Sequence, residues 1–193
     1  MTRKVLVING HPDPAEARFA AALACAYVRG ASGAGHQIRR LDVGGLDFPL
    51  IRSAAAFTDE PPPPVIGDAQ QAIACWADHL VIIFPLWVGG APAVLKGFLE
   101  QTFRYGFSVS RPGEPMRQLL KGRSARVIVS MGMPAPFFNL VFGAAGLRSL
   151  TRGVLWVSGF SPVRHTVVGG VETSAKRRAA LLAHVERMGA AAA

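Results

Sequence analysis

Five short runs rich in β-branched residues recur along this chain, and each is followed by a segment with helical patterning. The runs are "KVLVING", "HQIRRLDV", "LVIIFPL", "ARVIVSMG" and "PVRHTVVGGV". Between and after them lie "ARFAAALACAYVRGA", "IGDAQQAIACWADH", "PAVLKGFLEQTF", "LRSLTRGVLWVSGF" and "SAKRRAALLAHVERMGA". Strands that alternate with helices in this way pair in parallel and are covered on both faces. The expectation is therefore an α/β sandwich of three layers. A loop is expected from Gly44 to Pro64, and a polar excursion from Arg104 to Gly122. At 193 residues, without internal repeat or linker, residues 1–193 read as one domain.

In such sheets the ligand crevice lies beyond the carboxyl ends of the strands, where strand order reverses. Three loops fall there. The first, "NGHPDPAEARF", leaves its strand at Gly10 and soon starts a helix, whose N-terminal amides suit a phosphate. It lacks the Lys-Ser/Thr of a P-loop and the GxGxxG of a dinucleotide turn, and a plain turn capped by Asp13 explains it equally well. The second is "FPLWVGGAPAVLKGF", in which Pro85 ends the ladder, Trp87 and Val88 offer apolar surface, and Gly89-Gly90 let a ligand reach the backbone. Pro92 suits the first turn of the helix that follows. The third, "SMGMPAP", offers amides around Gly132, with Met131 and Met133 either packing or touching a ligand.

Several chemistries lack their residues. The five histidines show no metal-ligand spacing, Cys25 and Cys75 form no CxxC pair, and Ser130 is not in a G-x-S-x-G turn, so no metal is expected. His79 is placed just before the central strand and read as structural or solvated. The net charge of +9 comes from scattered Lys and Arg, without interleaved aromatics, so nucleic acid is not an expected partner. A solvated basic surface accounts for it, as does attraction of anionic cofactors or substrates. No run is long enough to span a membrane and "MTRKVLVING" does not resemble a signal peptide, which leads to an expected cytoplasmic location.

Taken together, "INGHPDP", "DFPL", "FPLWVGGAPAVLKGFLEQTF" and "GRSARVIVSMGMP" resemble the flavodoxin-like NAD(P)H:quinone oxidoreductases of the DT-diaphorase and modulator-of-drug-activity type. The resemblance implies a flavodoxin-like sandwich with strand order 2-1-3-4-5. It also implies a flavin cofactor: FAD is favoured because the Arg104–Gly122 excursion resembles the FAD-using members, and FMN is the alternative. Carried over by position, His11, Arg18 and Phe19 would hold phosphate. Pro85, Leu86, Trp87, Val88 and Gly89 would line the ring, and Ser130, Met131, Gly132 and Met133 would meet its pyrimidine edge. Hydride would pass from NADPH or NADH to flavin N5 and on to a quinone or similar electrophile in a ping-pong cycle.

The resemblance further implies a homodimer, with "FFNLVF" and "YGFSV" shaping the interface or the pocket wall. A flavin-holding regulatory subunit that acts through a membrane transporter is the alternative function. Two departures stand out. No Ser or Thr occurs between Gly10 and Leu23, and the family's proton-relay histidine is Ala145 here, which leaves the catalytic residues unassigned.

Overall fold

The computed structural model describes residues 2–192. Five strands, β1 (Lys4–Asn9), β2 (Gln37–Asp42), β3 (His79–Pro85), β4 (Ser124–Met131) and β5 (Val163–Gly169), form one sheet. Its order is β2-β1-β3-β4-β5, and every neighbouring pair is parallel. The chain therefore starts in the middle and turns back once, between β1 and β3. This is the flavodoxin-like architecture expected from the sequence.

Burial follows from position in the sheet. β3 is central and buried from His79 to Phe84, so both of its faces are apolar. Leu80, Ile82 and Phe84 pack with Leu6, Ile8, Val127 and Val129 against Ile66, Leu95, Phe98 and Leu155. Val81 and Ile83 point the other way, with Val5, Val7 and Ile128, onto the helices α1 (Phe19–Gly33) and α7 (Ala175–Ala191). The edge strand β2 is only half buried. There Arg39 covers its outer face by lying 4.4 Å over the Trp76 ring.

The remaining helices differ from expectation in informative ways. The loop from Gly44 to Pro64 contains a short helix, α2 (Ala54–Thr58), whose start is fixed by Ser53: its Oγ accepts from the Ala56 amide at 3.0 Å. The helix α3 (Pro64–Gln71) runs into a π-helical turn over Ala72–Trp76 and stops there, short of Asp78. Pro92 lies immediately before α4 (Ala93–Thr102), as its cap rather than in its first turn. After β4 come α5 (Ala135–Leu140) and the single turn α6 (Ala145–Arg148). The expected long helix through "GVLW" is instead π-helical over Ser149–Trp156. Gly153 and the β-branched residues around it weaken regular α-helix here.

His79 is the first residue of β3, not a residue before it, and only 1% of its surface is exposed. Its Nδ1 lies 2.7 Å from Ser124 Oγ, while Nε2 is buried without a partner. Burial, reinforced by Arg3 and Arg126, pushes its pKa down to about 4 from an ordinary 6.5. The unfolded chain therefore takes up this proton first. Stability is full above about pH 6.5 and falls as pH drops toward 4, by about 3 kcal/mol in all at ~1.4 kcal/mol per pH unit. Urea unfolding across this window should show that slope, and in His79→Gln the slope should flatten even though the variant is less stable at neutral pH.

Candidate functional site

The carboxyl ends of β1, β3 and β4 carry the three loops singled out by the sequence. β1 ends in buried Asn9, whose Nδ2 donates to Asp42 Oδ1 at 2.7 Å and thereby ties the first loop to β2. The next residue is glycine, and a Cβ there would sit 2.4 Å from Leu95 Cδ2 of α4, so Leu95 in its present position occupies the space of a side chain. The "NG" of the first motif and the "LKGF" of the second are thus two sides of one contact. "DFPL" joins them, with Phe48 edge-on to Phe98 at 6.1 Å and Gln101 Nε2 donating to the Pro49 carbonyl at 2.7 Å.

In the first loop, the Asp13 amide donates to His11 Nδ1 at 3.0 Å and Asp13 Oδ1 accepts from the Ala15 amide at 2.9 Å. Asp13 therefore shapes the turn and does not cap α1. The residue before that helix is Arg18, which gives no side-chain cap, and the first turn from Phe19 holds no acidic residue. Its guanidinium pairs with Asp13 Oδ2 at 2.5 Å. The Ala15 amide, with Arg18 beside it, holds the Asp13 carboxyl below its usual range. His11 is half-buried in the same loop, and the Arg18 guanidinium stands at the helix start.

The second loop is a tight reversal. Trp87 and Gly90 exchange backbone hydrogen bonds at 3.0 and 2.9 Å, and the two residues between them have positive φ, +47° at Val88 and +78° at Gly89. This is the sign pattern of a type I′ turn, where asparagine and glycine are favoured. Valine is a strained choice there, since its branched Cβ opposes the left-handed region. Val88 is fully exposed and Trp87 is 48% exposed, with its indole edge-on to His11 at 5.9 Å between centroids. A Cβ on Gly89 or Gly90 would meet nothing within 4 Å, so a flat molecule has open access to this backbone. Pro85 and Leu86 hold the base of the turn, with Leu86 donating to the Ser130 carbonyl at 2.8 Å.

The third loop presents backbone more than side chains. Ser130 and Met131 are both buried, and Met131 belongs to the core, as Met133 does in part. Of the two readings left open for these methionines, packing describes Met131. Gly132 is exposed, with the Glu172 carboxylate 3.5 Å from where its Cβ would be.

Sequence reasoning missed the role of α6. A Cβ on Gly146 would lie 2.3 Å from the Gly89 carbonyl, so α6 seats directly on the Trp87–Gly90 turn. Exposed Ala145, the position at which the resemblance implied a histidine, stands one residue away. The glycine of "GAAG" was the available signal. Also missed was a cavity of about 490 Å³ beside the turn. It runs from Gly90 and Ala91 along α4 to Phe57, Tyr105 and the Ser149–Ser158 segment. Among the described residues, no group of three or more His, Cys, Asp or Glu is placed to hold a metal.

A parallel sheet that reverses strand order between β1 and β3, with a glycine turn and a half-exposed indole at its carboxyl end, places the chain in the doubly wound α/β class. The chain belongs to the family with the flavodoxin-like fold, whose description matches residues 3–191. It is 28% identical over 189 residues to a ribosyldihydronicotinamide dehydrogenase-like protein of Penicillium crustosum, a match covering 81% of this chain and 69% of that one. It is 24% identical over 205 residues to the FMN-dependent NADH:quinone oxidoreductase 2 of Listeria innocua, with 93% of each chain covered. The NAD(P)H:quinone oxidoreductase from Methanothermobacter marburgensis superposes with a TM-score of 0.82 at 24% identity, over 98% of this chain and 96% of that one, which attests the fold.

The strain at Val88 is testable. Val88→Asn creates the Asn-Gly pair that this turn geometry favours, and should raise stability by about 1 kcal/mol in urea unfolding. Unchanged or reduced stability would mean that the backbone there is not held left-handed.

Proposed function

We propose that this chain is a flavin-dependent NAD(P)H oxidoreductase that reduces a quinone or a similar electrophile. The observation that carries the reading is the strained turn at the end of β3, which holds the half-exposed indole of Trp87 beside open glycine backbone. The residues fit a flavin. The acid-free first turn of α1, with Arg18 and His11, is the phosphate subsite; Pro85, Leu86, Trp87, Val88 and Gly89 are the ring floor. The backbone of Ser130, Met131, Gly132 and Met133 meets the ring's polar edge, where amides favour negative charge. Bound there, a flavin supplies hydride transfer between nicotinamide and acceptor.

FMN is the preferred cofactor. The leaning toward FAD rested on the Arg104–Gly122 excursion. That segment begins where α4 ends, leads into the amino end of β4, and bonds to the Ser149–Ser158 segment, with Leu120 donating to the Ser158 carbonyl at 2.9 Å. It lies on the α4 side of the sheet, whereas the phosphate subsite belongs to α1. The Listeria relative, named for FMN, is consistent with this preference.

The chain's own residues orient the ring and shield one face of it. None of the side chains nearest the turn from α6 delivers a proton, because Ala145 has none to give. Protons for the acceptor therefore arrive through water, and one site used in turn by both substrates gives ping-pong kinetics. Anaerobic NADPH should bleach the reconstituted protein within seconds, and mass analysis of the released cofactor should give FMN. Trp87→Ala should weaken flavin retention about tenfold, the loss of one aromatic contact. Unchanged retention removes the indole from the site.

We further propose a homodimer built on the cavity face, where Tyr105 and Trp156 are exposed. Of the segments expected to shape an interface, "YGFSV" belongs to this face and lines the cavity through Tyr105, Ser108 and Val109. Light scattering should give twice the chain mass for the native protein and the chain mass for Trp156→Glu.

A further inference from the structure

The segment "FFNLVF" does not border the cavity. It runs through α5 and beyond, at the carboxyl end of the sheet. Phe138 alone of its apolar residues is buried, while Phe137, Leu140, Val141 and Phe142 are 49%, 84%, 63% and 51% exposed. The rings of Phe137 and Phe142 stack edge-on at 5.8 Å, so the exposed groups form one patch rather than scattered side chains. Fully exposed Val88 lies nearby, because Gly146 of α6 packs on its turn. Soluble proteins seldom present several large apolar groups together unless something covers them.

Cations bracket the patch. On its C-terminal side, the exposed Arg148 donates its guanidinium to the Gly143 carbonyl, one residue past Phe142. On its N-terminal side, Arg177 donates to the Gly169 carbonyl at 3.1 Å, and the α-carbon of Gly169 lies against the Ala135 amide that opens α5. Lys176 is exposed beside Arg177, and Arg178 reaches the Val171 carbonyl at 3.4 Å. Arg152 is exposed one turn beyond Arg148.

From Pro115 to Val171 the chain has no Asp or Glu. Of the cations in this run, Arg148 and Arg152 follow the patch, whereas Lys121, Arg123, Arg126 and Arg164 belong to the amino ends of β4 and β5 and lie away from it. Of the two acids that bound this run, Glu114 pairs with Arg117 at 3.5 Å and Glu172 lies beside Gly132.

We propose that this end of the molecule docks on an anionic phospholipid bilayer. The apolar patch enters the headgroup region while Arg148, Lys176 and Arg177 meet lipid phosphates. Apolar groups ringed by cations are the pattern that gives reversible interfacial binding, with electrostatics and burial acting together. A second copy of the chain fits less well. A two-fold contact on this patch would bring one copy's Arg148, Lys176 and Arg177 against the same set of cations on the other, with Glu172 the acid nearest Arg177 in sequence. Docking places the mouth of the crevice, one turn from the patch, at the membrane surface. There an apolar acceptor is delivered without crossing water.

The test is co-sedimentation of the purified full chain with vesicles of phosphatidylglycerol and, separately, of phosphatidylcholine, without cofactor or acceptor. Binding to phosphatidylglycerol that high salt reverses, with little binding to phosphatidylcholine, is expected. Leu140→Ser/Val141→Ser changes only exposed side chains and should abolish it while the circular dichroism spectrum stays native. Lys176→Gln and Arg177→Gln should each weaken it roughly fivefold. Three results would overturn the proposal: no binding to either vesicle, equal binding to both, or undiminished binding by the double serine variant. A fourth is a change in the mass of that variant by light scattering, which would make the patch a contact between copies. None of these outcomes depends on whether the chain reduces quinones.

Discussion

A parallel sheet covered by helices on both faces leaves only its strand ends for chemistry, and here that constraint acts through β3. Its side chains from His79 to Phe84 are buried on both faces, so the strand has no latitude until Pro85. The chain must then reverse within four residues to begin α4 on the correct face. The Trp87–Gly90 turn, with positive φ at two consecutive positions, is the solution. The exposed indole is a consequence of it. Trp87 is the first residue of that turn, and nothing in the fold requires tryptophan there. Strain in valine and exposure of tryptophan at one turn are the features from which the proposed ligand site is argued.

The motifs that led to the family reading are spatially one object. Gly10 is small because Leu95 needs its space, and Phe48 lies where it can meet Phe98. Gly146 is small because the Gly89 carbonyl needs its space. Each motif taken alone is a weak signal, as a turn glycine or a helical leucine usually is. Their joint presence is a strong one because each fills the gap left by another. Loops from β1, β3 and the α5–α6 region are consequently held in fixed relation by core contacts rather than by surface bonds. This supports the preorganisation that a redox ring requires.

Legibility in the sequence followed the physics of each element. The strands and their parallel pairing were readable because β-branched runs alternate with helices, while their order came from the family resemblance. The break at Trp76 and the π-helical course of Ser149–Trp156 were not, because the same residues satisfy a regular helical pattern and only packing against the sheet decides between them. His79 looked like a residue before a strand because histidine is rarely buried without a full set of partners. The loops of the site were legible in position but not in manner. Met131 proved to be core, Asp13 a turn former and Arg18 an ion-pair partner, distinctions that depend on side-chain direction and not on residue type.

The charge distribution connects the two ends of the argument. Asp13, Glu16 and Asp42 gather around the first loop, and Arg40 pairs with Glu16 and Asp42 at 3.1 and 2.8 Å. The residues around α5, in contrast, have cations without acidic partners close in sequence. The net charge of +9 is therefore not a uniform solvated coat, as composition alone suggested. It is concentrated in the C-terminal half, where Arg148 and Arg177 stand beside the exposed groups around α5. Such a field does not stabilise a fold, since like charges on one surface repel. The anionic surface proposed above would offset that repulsion from outside.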